Sequence, residues 1–364
     1  MRKICPACSN TTIEELFIKL PFFRHLDFTT VSNDQSLFKC SKCQIVFNPI
    51  AIKTETPTFK TEQYAESNQT KQKMNVDGFS EPVTRSFLQS KILSEQFVNN
   101  ETVRILDIGC FDGCLLNEFD AIFSNADLWG FDTNSHLEAL FPKKENFHFI
   151  SSGLDAIQGY FDIITLSHSI LYIPDLSKLM GFIGKLLKTN GILFSQIPDI
   201  RKNLFYSLMG DQCLIFTEKS LVNVLGHFGY KAGIIKNNFF SRELLVEAKI
   251  DESSESKTYE EDNVFNQNIQ AINDFKRGLQ LISHDNLTVL GTTVTAAFVD
   301  EIIGERIEFF VDEEPKTKKI FRGKKVIHPK DLNESNHTIL PYGKSGIKIQ
   351  ERFQSMYNGS LGVL

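Results

Sequence analysis

The 364-residue sequence has no apolar run near the roughly 18 residues that a membrane-spanning helix needs. Its basic start, MRKICPACSN, is not followed by the apolar core of a secretory signal, so no membrane partner and a cytoplasmic location are expected. Positive charge is not in excess: 39 Lys and Arg face 45 Asp and Glu, a net −6. That balance argues against a nucleic-acid partner, which would need a broad cationic face. Tryptophan occurs once beside 32 phenylalanines, a composition for packing several small cores rather than for a carbohydrate-stacking platform. There is no solenoid repeat, no low-complexity tract and no Gly-Lys-Ser/Thr loop, so repeat architectures and nucleotide hydrolysis are disfavoured. With 41% hydrophobic and 23% charged residues the chain can bury real cores, and its length suits two or three domains.

Seven cysteines are present, and four form two close pairs, Cys5-x2-Cys8 and Cys40-x2-Cys43. Two such knuckles can offer four thiolates to one tetrahedral ion, and zinc accepts sulfur ligands without redox chemistry of its own. A closed set of four cysteines leaves no vacant position, so the expected zinc is structural. Four buried free thiols are the alternative. The stretch between Cys8 and Cys40 is longer than the usual ribbon spacing of about 15–20 residues, so a long excursion must bring the knuckles together.

A polar stretch follows, and then a helix is expected from Ser80 as N-cap and Pro82 in the first turn, with Val83, Phe87, Leu88, Ile92 and Phe97 at helical spacing. From Val103 the pattern alternates strands and helices. VRILDIG, LWGFD, FHFIS, FDIITLSH, GILFSQIPD and SRELLVEAKI read as strands. Leu115 to Phe123, DLSKLMGFIGKLLK and EKSLVNVLGHFGY read as helices. This alternation predicts an α/β fold with a doubly wound, Rossmann-like sheet. DESSESKTYEEDN reads as a linker. Beyond it, a helical stripe from Phe265 to Ile282, then LTVLG, VTAAFVDEII and RIEFFVD, predict a smaller Rossmann-like α/β domain. The expected boundaries are a zinc module at 1–55, a linker and lead-in helix at 56–100, a central domain at 101–250 and a C-terminal domain at 264–364.

The first strand of the central domain runs into Asp107-x-Gly109-x-x-x-Gly113 and a helix start. Gly109 lets the backbone turn close to a ligand, and Asp107 with the loop amides can hold its polar parts. The spacing is neither a phosphate loop nor G-x-G-x-x-G. Alone, it also suits a tight strand–helix turn. Asp132 ends the second strand, where an acid can accept hydrogen bonds from both ribose hydroxyls of an adenosine. Its alternative role is a helix cap.

LDIGCFDG, the acid of GFDTN, FDIITLSHSILYIPD and LLKTNGILFSQIPD occur in that order over about residues 100–248 and resemble the class I S-adenosylmethionine-dependent methyltransferases. The resemblance implies that Gly109, Cys110 and Phe111 face the methionine part and Asp132 the ribose. It places Ser151 and Ser152 toward the adenine, and Ser167 or His168 near the sulfonium. Gly113 closes the loop. Many members have glycine where Phe111 stands.

CPAC…CSKCQIVFNP, TEQYAESN and the VLGTTVTAAFVDEI…IEFFVD region resemble the three-part, zinc-containing sugar methyltransferases of deoxysugar biosynthesis. The resemblance implies methyl transfer to a nucleotide-activated deoxysugar, with Tyr64 covering the cofactor, in a monomer or homodimer. Tyr64 can equally be a residue of a disordered linker. The glycine turn of the C-terminal domain is degenerate, Gly291 being followed by Thr292 and Thr293.

C-methylation needs a base for the proton beside a ketone and a donor for the enolate oxygen. Where these enzymes carry a Glu-His, this chain has Asp211 and Gln212, and glutamine cannot be a base. Candidates are His168 at the end of the fourth strand, Asp211, Tyr206 and Asp199, with Tyr172 nearby. Packing or substrate stacking is the alternative for the tyrosines, and a turn for Asp199. O-methylation needs only a base for a hydroxyl, or mainly proximity. Another small metabolite or a protein as substrate, or a non-catalytic scaffold with a vestigial pocket, are the rival readings.

Overall fold

The computed structural model describes residues 3–53, 73–74, 76, 78–95, 102–251, 259–313, 315, 319–341, 344–353 and 360–362. Tyr64 and the middle of the expected linker lie outside them. The chain divides into two units. The first holds Met1–Leu16, Ser36–Asn203 and Gln212–Asp262, and the second Phe17–Gln35, Leu204–Asp211 and Asn263–Leu364. The long excursion between the cysteine pairs is thus a segment of the second unit.

In the first unit, a sheet of seven strands runs in the order Phe147–Ile150, Ala126–Phe131, Val103–Ile108, Phe161–Ser167, Leu187–Pro198, Glu243–Ile250 and Tyr230–Ile234. The strands are parallel except Glu243–Ile250, which is antiparallel to both neighbours. The mixed α/β expectation therefore holds, with one antiparallel strand in a sheet dominated by parallel pairs. Leu106, Ile108, Ile164, Leu166 and Leu193 belong to one buried cluster, and Ile105, Leu128, Ile163 and Phe194 to another. Strands wedged between two cores need the near-continuous apolar runs seen in VRILDI and FDIITLS.

The helices form for local reasons. In Leu176–Leu186, Leu176, Leu179, Met180, Ile183 and Leu186 are buried at helical spacing, and the Asp175 carboxylate caps the start by accepting the Lys178 N–H. Thr217 and Ser220 form a reciprocal capping box that opens Glu218–His227. The lead-in helix begins later than the sequence predicts. It spans Arg85–Ser94, and Thr84, not Ser80, caps it by accepting the Phe87 N–H. Val83–Thr84 instead pairs as a short strand with Lys73–Met74. Pro82 therefore precedes that strand rather than opening the helix.

The chain leaves the central strand Val103–Ile108 toward one edge and returns to place Phe161–Ser167 on its other side. This reversal opens a crevice at the carboxyl ends of those two strands, where ligands bind in open α/β sheets.

The second unit has its own sheet, in which Leu287–Leu290 pairs parallel with Ile307–Val311 and with His337–Ile339. The expected helices are present as Val264–Leu281 and Val294–Ile303. Phe275 and Phe298 enclose Phe205, at 5.6 and 5.1 Å between ring centroids. Gly210 N–H donates to Phe23 O at 2.7 Å, tying two of the inserted segments together. Among the described residues, no helix is long and apolar enough to cross a membrane.

Candidate active site

The four paired cysteines meet in the first unit. Their sulfurs lie within 4.8 Å of one another, with Cys5 to Cys43 at 3.6 Å and Cys8 to Cys40 at 3.5 Å. A tetrahedral ion with 2.3 Å bonds to sulfur holds its ligands about 3.8 Å apart, so the set fits zinc. The two knuckles repeat one backbone design. Cys5 N–H donates to Asn10 O and Cys40 N–H to Ile45 O, both at 2.9 Å. Ser9 N–H returns to Cys5 O and Gln44 N–H to Cys40 O, with Ser9 and Gln44 both left-handed, at φ of 55° and 64°. The Asn10 amide donates to Cys40 Sγ at 3.6 Å. The Cys43 thiol at Cys40 holds Cys40 down, and the same contact pushes Cys43 up. Without a cation the crowded sulfurs cannot all ionise together.

At the crevice, Gly109 takes a φ of 84°, a left-handed conformation that favours glycine. A Cβ there would stand 2.5 Å from Ser169 Cβ, so glycine also permits close approach of the 168–172 loop. Gly109 and Cys110 N–H groups donate to Phe131 O at 2.7 and 3.1 Å, binding the glycine loop to the end of the second strand. Phe111 is left-handed and its N–H donates to Asp132 Oδ2 at 3.2 Å, while Asn134 N–H donates to Oδ1 at 3.0 Å. Each Asp132 oxygen thus keeps acceptor capacity for a further donor. Burial holds its carboxyl above the ordinary range. The 3-10 turn Ser135–Ala139 is capped by Asn134, so Asp132 is not that helix's cap.

Gly113 caps the next helix in left-handed conformation, against Phe141 and Pro142. Cys110 is buried. Ser151 and Ser152 follow the third strand, whose Ile150 O accepts the Asp132 N–H. Ser169 Oγ is buried with no hydrogen-bond partner among the described residues. A left-handed glycine, a half-engaged carboxylate and an orphaned hydroxyl beside one switch point fit a nucleoside-bearing ligand. They would hold it chiefly through Asp132 and the Gly109–Phe111 backbone.

Asp107 turns inward rather than into the crevice. It is 3% exposed and accepts from Thr165 Oγ1 at 2.6 Å across paired strands. Burial pushes it up from 3.8 to about 7. The folded chain therefore keeps a proton that the unfolded chain releases from about pH 4 upward, and stability falls between those two values and is level above them. Asp107→Asn is expected to abolish this fall and to stabilise the protein by a few kcal/mol, on the order of three pKa units, above about pH 7. Denaturant unfolding at about pH 5 and about pH 8 checks this, and an effect equal at both would refute it.

The catalytic candidates are divided between the two units. Asp199 accepts from Arg201 N–H, Nε and Nη2 at 3.0, 2.9 and 3.0 Å, so its carboxylate is taken up by a turn and an ion pair. Asp211 and Tyr206 belong to the second unit. There Asp211 Oδ2 accepts the His25 N–H at 2.9 Å, Oδ1 has no hydrogen-bond partner among the described residues, and burial pushes the carboxyl up to about 6. The His25 and Tyr206 rings lie 6.1 Å apart. In the first unit the Gln212 amide reaches the Tyr172 hydroxyl at 3.5 Å.

His168 stands at the crevice, directly after Ser167, with a left-handed φ of 58°. Its N–H donates to Gln196 O at 2.8 Å. Around it is a polar cluster that sequence reasoning missed. His168 Nε2 is 3.1 Å from Arg85 Nη1 and 3.4 Å from Glu243 Oε2. Glu243 also takes Arg85 and the Gln196 amide, while the Gln89 amide donates to Ser167 Oγ and Gln196 Oε1, both at 2.7 Å. Burial by itself would push the Glu243 carboxyl up. His168 when protonated, Arg85 and Gln196 hold it down to about 2. One signal was available: an antiparallel strand starts at the edge where its parallel neighbours end, and Glu243 pairs with Pro198 there.

Residues 83–233 match the model of a family described as a methyltransferase domain. The match covers less than half of the 364-residue chain. Solved structures similar to the chain include the plantazolicin methyltransferase BpumL in complex with SAH, at 13% identity and a TM-score of 0.38, covering 46% of this chain and 82% of that one. The glycopeptide N-methyltransferase MtfA complexed with S-adenosyl-L-methionine is 9% identical at 0.37, covering 48% and 97%. An O-methyltransferase family protein from Burkholderia thailandensis is 14% identical at 0.39, covering 54% and 60%. No curated protein matches the chain.

Proposed function

We propose that this methyltransferase domain uses S-adenosylmethionine to methylate a nucleotide-activated deoxysugar, at carbon or oxygen. The observation that carries the cofactor reading is the junction of Gly109 and Asp132, where a left-handed turn and an acid with spare acceptor capacity flank the switch point. When bound, the cofactor supplies a methyl group activated on a sulfonium. Asp132 binds the ribose hydroxyls, the Gly109–Phe111 backbone lies along the methionine part, and Ser151 and Ser152 border the base. The Cys5, Cys8, Cys40 and Cys43 set holds a structural zinc ion. The sugar reading rests on the resemblance of the cysteine module and C-terminal region to the three-part sugar methyltransferases. In it Tyr64 covers the cofactor.

Calorimetric titration of S-adenosylhomocysteine tests the first part. Wild type is expected to bind, and Asp132→Ala to bind at least tenfold more weakly, the loss of about 1.4 kcal/mol or more expected when a charged acceptor is removed. No binding to folded wild type would reject the cofactor site. Formation of S-adenosylhomocysteine with nucleotide ketosugars and aminosugars tests the second part. Exchange of the adjacent sugar proton in D2O separates carbon from oxygen transfer.

A further inference from the structure

Two elements reach the His168 ring, the lead-in helix through Arg85 and the start of the antiparallel strand through Glu243, while the fourth strand ends at Ser167 just before it and the fifth holds its backbone N–H through Gln196 O. A guanidinium can only donate, so the 3.1 Å approach of Arg85 Nη1 to His168 Nε2 is a hydrogen bond only where Nε2 carries a lone pair. Glu243 can only accept while ionised, and it stands farther from Nε2, at 3.4 Å. Its Oε1 takes the same Arg85 Nη1 and its Oε2 the Gln196 amide, each oxygen keeping room for one further donor. One NH2 group of Arg85 therefore spends one hydrogen on Glu243 and one on His168. No described residue hydrogen bonds Nδ1 of His168.

We propose that Arg85, itself fixed by Glu243, is a positioning residue that locks neutral His168 as the Nδ1–H tautomer, so that His168 presents a hydrogen-bond donor to a substrate oxygen rather than a base. This refines the methyltransferase reading and rests on it for the identity of that oxygen: an enolate or carbonyl oxygen in carbon transfer, a neighbouring hydroxyl or carbonyl in oxygen transfer. A neutral imidazole held as a donor stabilises charge growing on oxygen without giving up its proton. The left-handed backbone at His168 supports the assignment, because a non-glycine residue held there must be fixed by its surroundings. Here the His168 N–H bond to Gln196 O and the ring contact with Arg85 fix it from both ends. The proton acceptor of the reaction is then another group.

Long-range proton–nitrogen NMR of protein labelled at histidine nitrogens, at about pH 8, where an ordinary imidazole is neutral, reads the tautomer. His168→Gln identifies the resonances by their loss. Wild type is expected to show His168 as Nδ1–H. Arg85→Met should move it to Nε2–H, donating to the freed Glu243, and Arg85→Lys, which keeps a donor, should restore Nδ1–H in part. Nε2–H in wild type, or a tautomer indifferent to Arg85→Met, overturns the proposal. If Arg85→Met does not fold, the wild-type tautomer decides alone. The S-adenosylhomocysteine titration is independent: binding with the wrong tautomer rejects the His168 role alone, whereas the expected tautomer without binding rejects the methyltransferase reading.

Discussion

Protein purified without chelator is expected to carry about one zinc ion per chain, and Cys43→Ala to carry almost none. The effect on folding should be the largest of any single substitution here. A structural four-cysteine site contributes on the order of 10–16 kcal/mol of metal binding, all of it available only to the folded chain. Around this ion the first unit has short strands: Val46–Phe47 pairs with Phe38–Lys39 on one side and with Leu214–Ile215 on the other. Two-residue strands are too short to hold a sheet unaided. The Asn48 N–H bond to Cys213 O extends the same seam into the 83–233 segment. Losing the ion should free that seam and lower the melting temperature by ten degrees or more, the scale of several kcal/mol in a protein of this size. Elemental analysis and thermal unfolding check both parts. Four thiols that react freely in the native protein without a chelator, with no zinc released, would overturn the assignment.

Gly109→Ala is expected to cost both stability and cofactor affinity. The backbone penalty for a side chain at a left-handed position is about 1–2 kcal/mol. The larger part is steric, because the new carbon would lie 2.5 Å from Ser169 Cβ, inside any allowed contact. Relief requires moving the Gly109–Phe111 turn or the 168–172 loop. The first breaks the bonds to Phe131 O and Asp132, and the second shifts His168. A displacement near 1 Å in either is enough to reduce S-adenosylhomocysteine binding by tenfold to a hundredfold, about 1.4–2.7 kcal/mol. Titration of the variant beside Asp132→Ala, with denaturant unfolding of each, separates a lost site from a lost fold. Affinity equal to wild type would show that the turn is merely structural.

Much of the architecture was legible because it rests on local pattern. The alternation of apolar strands with stripes such as Leu176, Leu179, Met180 and Ile183 is written at helical and strand periods, and the glycines and Asp132 mark the turn and strand end they occupy. What stayed hidden depends on contacts between distant residues. Tyr230 reads as the tail of a helix, whereas it opens the strand Tyr230–Ile234. Glu243 reads as an ordinary polar strand residue until its antiparallel direction brings it beside His168. The burial of Asp107 was invisible for a related reason: only the register that sets it opposite Thr165 shows that its partner lies inside the sheet. Nor does any sequence signal reveal that 17–35 and 204–211 build into the second unit. LPFFRHLDF reads as an aromatic segment for domain packing or for the substrate mouth, with nothing to say which domain it joins.

That construction governs the order in which the protein can mature. The hairpin around Phe22 and Phe23 leaves the ribosome well before Phe275 and Phe298, which cover Phe205 within the same unit. Domains tend to complete as units while the chain emerges. Here the second unit has to wait, with apolar parts exposed, until the residues from Asn263 onward have been translated. An ion bound by the four cysteines would close the loop that carries this hairpin before its partners exist, and so would hold the hairpin on an anchored tether rather than on a free chain. A fragment starting at the Val264–Leu281 helix would lack both inserted segments and would expose the phenylalanine faces that Phe205 covers. It should be recovered as an aggregate, not as a separable domain.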